Sequence, residues 1–279
     1  MGKSLDIKHR QRLLIGFLGA PLIFLSAWFG GIWFLLAVSI IAAFSVYELL
    51  KMVHYPPRVL TILALFMTPL SLLAMYYKKL DLVIVILLLT AVFTNISLLF
   101  YKKSEYLKTS FVGIGSILYP GLCLGTMILL RNMQLDGAAA GETGRNIVLT
   151  LILGVFSTDV AAYYIGKYFG RHPLFPSVSP KKTYEGSLGG ILFCSITMII
   201  LWRIGFVSAF GPFDYLSVAI FAGVFGQMGD LVESKIKREI GVKDSSSILL
   251  EHGGFLDRFD SLSVAAPLYW TYIYLKFFV

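Results

Sequence analysis

The sequence predicts an all-α integral membrane protein with about nine transmembrane helices. Hydrophobic residues make up 57% of the 279 residues and charged residues only 14%, whereas soluble domains carry about 25% charged residues. The apolar residues lie in long continuous runs and lack the alternation, over segments of about ten residues, that is typical of a membrane β-barrel. Lysine and arginine alternate between enriched and depleted connecting segments, as expected for a chain that crosses a bilayer repeatedly.

A helix needs about 20 apolar residues to cross the hydrocarbon core of a bilayer. The first two runs are separated only by "GG" and predict a tight helical hairpin, and "HYPPR" breaks the chain before the third because proline interrupts helices. The basic N-terminus is interpreted as the flank of an uncleaved first span, since a second apolar run follows at once. The expected spans are residues 12–29, 31–50, 59–77, 82–101, 110–131, 147–166, 187–205, 214–234 and 260–278.

The placement of basic residues predicts the orientation of the chain. Of the 24 Lys and Arg residues, 18 fall in the set of connecting segments that includes the N-terminus, and 6 fall in the other set. This division predicts a cytoplasmic N-terminus, a C-terminus outside and an odd number of spans.

The acidic residues are also unevenly distributed, since ten of the 16 lie between Asp159 and Asp260. We therefore expect an N-terminal membrane scaffold of about five spans over residues 1–146. A C-terminal functional region of about four spans follows over residues 147–279, with cytoplasmic loops at 167–186 and 235–259.

Asp159 lies well inside the predicted sixth span, in the segment "STDVAAYYIGKYFGRH". An ionisable side chain at that depth is costly and is by default a candidate for a functional site. The alternative is a helix-packing hydrogen bond to a polar neighbour.

The segment "SPKKTYEGSLGG", residues 179–190, combines a Ser-Pro turn with adjacent Lys181 and Lys182. Its glycines allow the backbone to approach another group closely, and with Glu185 they favour a phosphate-binding loop. The alternative is a basic cytoplasmic loop that only follows the positive-inside rule.

The last cytoplasmic segment carries acids at helical spacing. Asp230, Glu233 and Ser234 share one helix face, and Asp257 and Asp260 repeat the three-residue spacing at the start of the ninth span. If the two faces meet at one depth, their carboxylates repel strongly, and a bound cation would relieve that repulsion. For any single acid the alternative is a local role, as a helix cap at Asp257 or a lysine partner at Asp260.

Carboxylate oxygens without a Cys or His cluster predict Mg²⁺ or Mn²⁺ rather than zinc. The two cysteines, Cys123 and Cys194, lie inside apolar runs and are expected to be small buried side chains. Their positions suggest neither a disulfide framework nor a zinc site.

Basic side chains accompany these acids, as a polyphosphate ligand would require. The phosphate-binding signatures of soluble nucleotide-binding folds are missing, so a nucleotide would have to be held by a metal ion and by Lys and Arg side chains at the membrane surface. His252 could be a metal ligand, a general base or a residue of the loop without a chemical role, and the sequence does not distinguish these roles. The basic residues are Lys235, Lys237, Arg238, Lys243 and Arg258, in addition to the lysine pair.

The segment "SKIKREIGVKDSSSILLEHGGFLDRFD", residues 234–260, closely resembles the signature of phosphatidate cytidylyltransferases, also called CDP-diacylglycerol synthases. That signature reads S-x-apolar-K-R-x4-K-D, a short spacer and H-G-G-apolar-x-D-R-apolar-D. "GDLVES" just before it and "SPKKTYEG" upstream are similar to the same family. The matching positions are Ser234, Lys237, Arg238, Lys243, Asp244, His252, Gly253, Gly254, Asp257, Arg258 and Asp260.

The resemblance implies an enzyme of the cell (inner) membrane that converts CTP and phosphatidic acid into CDP-diacylglycerol and pyrophosphate. It implies Asp230 and Asp257 as the main metal ligands, with Asp260, Glu233 and Asp159 near them. Mg²⁺ or Mn²⁺ would be joined by a monovalent cation such as K⁺. The implied partners are the lipid bilayer and a second copy in a homodimer, with no nucleic acid.

The expected site faces the cytoplasm, because CTP is soluble whereas the lipid substrate cannot leave the bilayer. The expected catalytic residues are Asp257, Lys237, Arg238, His252 and Arg258. The expected substrate-binding residues are Ser179, Lys181, Lys182, Thr183, Glu185, Ser234, Lys243, Asp244, Gly253 and Gly254.

Three other functions are weighed against this interpretation. A CTP-dependent lipid kinase would use the same nucleotide but release CDP, so its products distinguish it. A CDP-alcohol phosphatidyltransferase is disfavoured because its D-G-x2-A-R…G…D-x3-D pattern is absent. An ion-coupled transporter would place its acids near the midplane, often with inverted repeats, whereas here the acids cluster toward one face beside basic residues.

Overall fold

The computed structural model describes residues 19–53, 57–101, 105–135, 141–249 and 253–279. The helices are α1 (Gly19–Phe29), α2 (Gly31–Met52), α3 (Arg58–Tyr76), α4 (Leu80–Leu99), α5 (Tyr106–Ser116), α6 (Cys123–Arg131), α7 (Glu142–Phe169), α8 (Tyr184–Arg203), α9 (Pro212–Ile220), α10 (Gln227–Ile240) and α11 (Leu256–Phe278). Two π-helical segments, Ile117–Leu122 and Phe221–Gly226, join α5 to α6 and α9 to α10.

Among the described residues, seven helical runs are long and apolar enough to cross a membrane. The expectation of a helical, multi-pass membrane protein is therefore confirmed, while the count of nine spans and the orientation stay predictions. Part of the expected first span, residues 12–18, lies outside the described residues. The seven runs are Gly31–Met52, Arg58–Tyr76, Leu80–Leu99, Tyr106–Arg131, Glu142–Phe169, Tyr184–Arg203 and Pro212–Ile240.

Helix α11 covers the expected ninth span but begins four residues earlier than predicted, at Leu256. It is not one of the seven runs, and its 23 residues include four charged side chains. These side chains are Asp257, Arg258, Asp260 and Lys276.

The expected fifth span is divided at Tyr119. This residue has φ −86° and ψ 147°, an extended conformation inside the run Tyr106–Arg131. Pro120 follows it, and a residue before proline is driven out of the helical region by the proline ring, which also lacks the N–H that a helix needs. The run therefore consists of α5 and α6 with a kink between them.

In the part of the chain that the structure describes, a two-stranded hairpin accompanies the helices. Strand β1 (Pro173–Phe175) pairs antiparallel with β2 (Ser179–Thr183). The hairpin lies in the segment predicted as the cytoplasmic loop 167–186. Because strands of three and five residues contain no run of alternating apolar residues, the periodicity of the sequence does not reveal them.

The chain divides into two compact units. Unit 1 comprises Met1–Leu129 and Ile240–Phe259, and unit 2 comprises Leu130–Glu239 and Asp260–Val279. In unit 1 an apolar cluster joins α2, α3 and the first π-helical segment. Its members, all almost fully buried, are Val46, Leu50, Leu60, Ala64 and Ile117.

In unit 2, helices α7 and α8 pack closely because glycines replace larger side chains along α8. A Cβ atom on Gly186 would lie 2.7 Å from the carbonyl oxygen of Ala162, and one on Gly190 would lie 2.9 Å from that of Thr158. The predicted close approach at these glycines is therefore made to helix α7. Cys194 on α8 is buried as expected, and Cys123 is half-buried.

Replacing Gly190 by Ala should lower the free energy of unfolding by about 1–3 kcal/mol, because the added methyl group overpacks the contact with α7. Thermal unfolding of the detergent-solubilised protein measures this change. Gly115→Ala in α5 is the matched control, since, apart from its own helix backbone and chain neighbours, no atom of the described residues lies within 4 Å of an added Cβ there. Equal melting temperatures for the two variants would contradict the packing role of Gly190.

Candidate active site

One group of the predicted site residues lies in unit 2, where β2 and α10 bring opposite charges together. The Lys182 Nζ lies 2.7 Å from the Asp230 Oδ2, and both side chains are partly exposed. One turn further along α10, the Ser234 Oγ donates a hydrogen bond of 3.3 Å to the Asp230 Oδ1. The spacing of four residues thus places Ser234 against Asp230, and the hairpin supplies the lysine.

A second ion pair on α10 is almost completely buried. The Lys237 Nζ lies 2.7 Å from the Glu233 Oε2, and the two side chains are 10% and 1% exposed. Moving a carboxylate out of water costs several kcal/mol. A buried carboxylate therefore needs an opposite charge beside it, and Lys237 provides that charge for Glu233. The two groups lie one helical turn apart on the same face of α10.

Asp260, on α11, is also buried in unit 2, and the charges of Asp230, Glu233 and Asp159 all act on its carboxylate. Gly229 permits the close approach of α10, because a Cβ atom there would lie 2.6 Å from the backbone oxygen of Asp260. Asp159 itself is exposed on α7. The structure therefore brings the predicted acids of this unit into mutual electrostatic range.

Several predicted site residues in and beside the β1–β2 hairpin form hydrogen bonds within the protein. The Arg238 Nε donates to the Val178 carbonyl oxygen at 3.2 Å, which ties α10 to the turn between the strands. The Thr183 Oγ1 caps α8 by accepting from the Gly186 N–H. The Glu185 carboxylate accepts from the Arg171 and His172 N–H groups and contacts the His172 imidazole at 2.5 Å.

A separate group of predicted residues lies in unit 1, around Asp257 in the first turn of α11. Its Oδ2 accepts hydrogen bonds from the Ser245 N–H at 2.9 Å, the Ser245 Oγ at 2.8 Å and the Gly254 N–H at 2.7 Å. Gly253 has a φ of 77°, a conformation that favours glycine, and a Cβ atom there would lie 2.5 Å from the same carboxylate oxygen. The two glycines of the motif thus fold the backbone around Asp257.

Glu48, which the sequence analysis did not select, lies in the same part of unit 1. Its side chain is fully buried on α2 and accepts hydrogen bonds from the segment that contains Ser245 and precedes Asp257. The signal was available, because Glu48 is the one acidic residue of the apolar run Gly31–Met52. The concentration of the other acids in the C-terminal half obscures this signal.

The carboxylates suit a hard divalent cation by their chemistry. Across the described residues, however, no three Asp, Glu, His or Cys side chains are grouped so that they could hold one ion. Mg²⁺ usually binds proteins through one or two carboxylates and takes its other ligands from water and substrate phosphates. The residues present therefore fit an ion held jointly with a phosphorylated substrate, and do not fit a site built wholly from side chains.

The model of the cytidylyltransferase family matches residues 10–276 of the chain. The chain belongs to the cytidylyltransferase family. It is similar to the phosphatidate cytidylyltransferase of Bacillus subtilis, with 31% identity over 271 residues that cover 94% of this chain and 96% of that protein.

Two further cytidylyltransferase relatives match over shorter stretches. The phosphatidate cytidylyltransferase of Aquifex aeolicus is 39% identical over 175 residues, 63% of this chain and 61% of that protein. The Staphylococcus aureus protein of the same name is 46% identical over 127 residues, 45% of this chain and 48% of that protein. In these two alignments the chain thus spans less than two thirds of the relative's length.

The remaining predicted residues of this chain lie outside the contacts described above. Ser179 opens strand β2, and His252 lies outside the described residues. Exposed positions hold the basic or acidic side chains of Lys181, Lys243, Asp244 and Arg258.

Proposed function

We propose that this chain transfers the cytidylyl group of CTP to phosphatidic acid, which gives CDP-diacylglycerol and pyrophosphate. The observation that carries the proposal is the similarity over nearly the whole chain to a relative named phosphatidate cytidylyltransferase. The seven apolar helical runs add support, because a lipid substrate requires an enzyme that reaches the bilayer.

The reaction demands little covalent work from the protein. An ionised phosphate oxygen of phosphatidic acid attacks the α-phosphorus of CTP and forms the new P–O bond. The bond between the α-phosphorus and the bridging oxygen breaks, and its electron pair leaves with pyrophosphate. Catalysis then consists of positioning two anions and stabilising the charge that spreads over the phosphoryl oxygens.

The side chains of unit 2 suit these tasks. We assign Lys182, Lys237 and Arg238 to the phosphates of CTP and the lipid headgroup, since charge-assisted hydrogen bonds from Lys and Arg are the strong contacts to phosphate. Their contacts with Asp230, Glu233 and the Val178 carbonyl oxygen hold the cations in defined positions before a substrate arrives. Lys181, Lys243 and Arg258 are proposed to supply further positive charge.

Asp230 and Asp257 are proposed as the main protein ligands of Mg²⁺ or Mn²⁺, which would take its other ligands from water and substrate phosphates. Asp260, Glu233 and Asp159 would be the further acids of the site, and K⁺ a second cation. When bound, the divalent ion would polarise the phosphoryl oxygens and neutralise their charge. The negative charge of these carboxylates would attract the divalent cation and, without it, repel the substrate phosphates.

We also propose that the site faces the cytoplasm at the inner membrane and that the chain forms a homodimer. Support for the cytoplasmic face comes from the 18 basic residues in the segments assigned to that side and from the solubility of CTP. The homodimer is carried over from the resemblance alone.

The fate of radioactive phosphorus tests the reaction. With label at the α-phosphate of CTP, purified protein given phosphatidic acid and Mg²⁺ should transfer label into the organic-soluble lipid; with label at the γ-phosphate, it should release labelled pyrophosphate into water. Omission of phosphatidic acid is the control, and thorough EDTA treatment should stop both transfers. Lipid labelled from the γ-phosphate would instead identify a CTP-dependent lipid kinase, and activity that survives EDTA would overturn the metal assignment.

A further inference from the structure

Glu48 forms an unusually complete set of contacts for a buried acid in an apolar helix. Its Oε1 accepts from the Ser246 Oγ at 2.6 Å and the Phe255 N–H at 3.0 Å. Its Oε2 accepts from the Leu256 N–H at 2.8 Å and lies 3.1 Å from the Ser245 Oγ, whose single proton it shares with the Asp257 Oδ2. All four donors belong to unit 1, in residues 245–249 and 253–256, and we call these described residues the site loop.

These contacts explain how a carboxylate can be retained at a position with no exposure to water. An unsatisfied buried charge is strongly destabilising, so Glu48 depends on the four donors. Conversely, Phe255 and Leu256 lie where α11 begins, and the first N–H groups of a helix need acceptors from outside the helix. Glu48 therefore caps α11 from another helix and fixes the point at which α11 starts.

The site loop links Glu48 directly to Asp257. The Ser245 Oγ lies within hydrogen-bond distance of both carboxylates, 3.1 Å from the Glu48 Oε2 and 2.8 Å from the Asp257 Oδ2. Gly254 lies between them, and a Cβ atom added there would collide with both Ser245 and Glu48. The second glycine of the H-G-G motif is thus required by the approach of Glu48, whatever else it does.

An aromatic contact adds a second attachment from the same face of α2. Phe44, one turn before Glu48, stacks on Phe255 with ring centroids 4.9 Å apart. Helix α2 therefore holds the site loop through one apolar and one charged side chain, and the Asp257 carboxylate is oriented by the loop that they hold.

We propose that Glu48 is a positioning residue for nucleotidyl transfer, which orients the Asp257 carboxylate through Ser245 and the start of α11. This inference rests on the proposed function, because it gives Asp257 a role in that reaction. Glu48 contacts no substrate itself; its effect passes through the site loop.

Glu48→Gln tests the proposal, because the amide keeps the shape but places an N–H₂ donor against donors of the site loop. We expect kcat to fall about 10- to 100-fold, which is the usual effect of removing a group that orients a metal ligand. The KM for CTP should change less, and half-activation should require a higher Mg²⁺ concentration. Hydrogen exchange of the Gly254, Phe255 and Leu256 amides should become at least about 10-fold faster. Glu48→Asp keeps the charge and should recover part of the lost kcat.

Ser45→Ala is the matched control, since Ser45 is also fully buried on α2 and its hydroxyl has no hydrogen-bond partner among the described residues. It should leave kcat and amide exchange unchanged. A Glu48→Gln protein with a lower melting temperature but normal kcat and normal exchange would overturn the proposal and leave only a structural role.

If Glu48→Gln does not fold, Ser245→Ala replaces it, because that change removes only the hydroxyl shared by Glu48 and Asp257. It should lower kcat and accelerate exchange at Gly254, and an unchanged kcat would reject the coupling. A wild-type protein that is folded but inactive on phosphatidate would refute the proposed function, while the exchange measurements would still decide whether Glu48 orders the site loop.

Discussion

Replacement of Asp257 by Asn should reduce the turnover of CTP and phosphatidic acid by about 100- to 1,000-fold while the protein stays folded. The Asp257 Oδ2 accepts three hydrogen bonds from Ser245 and Gly254, and an amide oxygen can accept the same three. The variant therefore preserves the site loop and removes only the negative charge. Because the proposed reaction concentrates several phosphate charges, loss of a carboxylate that would hold the cation should affect the chemical step most.

Initial rates with saturating CTP measure this effect, and elution from a sizing column in detergent reports folding. Asp81→Asn is the charge-matched control, because Asp81 is an exposed acid in the first turn of α4. Asp257→Ala removes the acceptor as well as the charge and should also loosen the site loop. Near-normal turnover by Asp257→Asn would reject Asp257 as a catalytic group.

Replacement of Lys237 by Met should lower the free energy of unfolding by about 3–5 kcal/mol and also lower activity. The substitution leaves Glu233, which is only 1% exposed, without the ammonium group that lies 2.7 Å from it. Lys235→Met on the same helix is the control, because Lys235 and Glu239 form an exposed pair with the same four-residue spacing. Loss of an exposed pair should change stability by less than about 1 kcal/mol.

A double variant separates the two roles of Lys237. Glu233→Leu combined with Lys237→Met replaces the buried ion pair by apolar groups of similar size, and such exchanges are often neutral for stability. We therefore expect the melting temperature to recover largely, whereas activity should stay low because the proposed phosphate contact is still missing. A double variant that recovers both stability and activity would show that Lys237 only neutralises Glu233.

The helical elements were largely predictable because they depend on local properties. An apolar run of about 20 residues must satisfy its backbone groups internally in a membrane, and a helix is the structure that does so within one segment. Spacing of three and four residues likewise placed Asp230, Glu233 and Ser234 together on α10, where Ser234 donates to Asp230. The kink at Tyr119 also has a local cause in Pro120, although its exact position within the span was not predicted.

Local sequence patterns did not predict the β1–β2 hairpin or the groups that the glycines of α8 approach. Residues 173–183 pair as strands too short to reveal a periodicity. The glycines of α8 suggested a phosphate loop, yet Gly186 and Gly190 approach the backbone of α7. A glycine permits a close approach but does not identify the group that approaches, since that group is supplied by another element.

The sequence by itself determined that this chain is a helical membrane protein, which acids share a helix face, and which family the C-terminal motifs resemble. Only the tertiary structure revealed Glu48, whose carboxylate meets Ser245 although the two residues are 197 positions apart. The reason is physical: helix formation and amphipathic spacing are decided within a few residues, whereas a buried charge is tolerated only where distant parts of the chain supply its hydrogen bonds. Those partners become recognisable once the chain is folded.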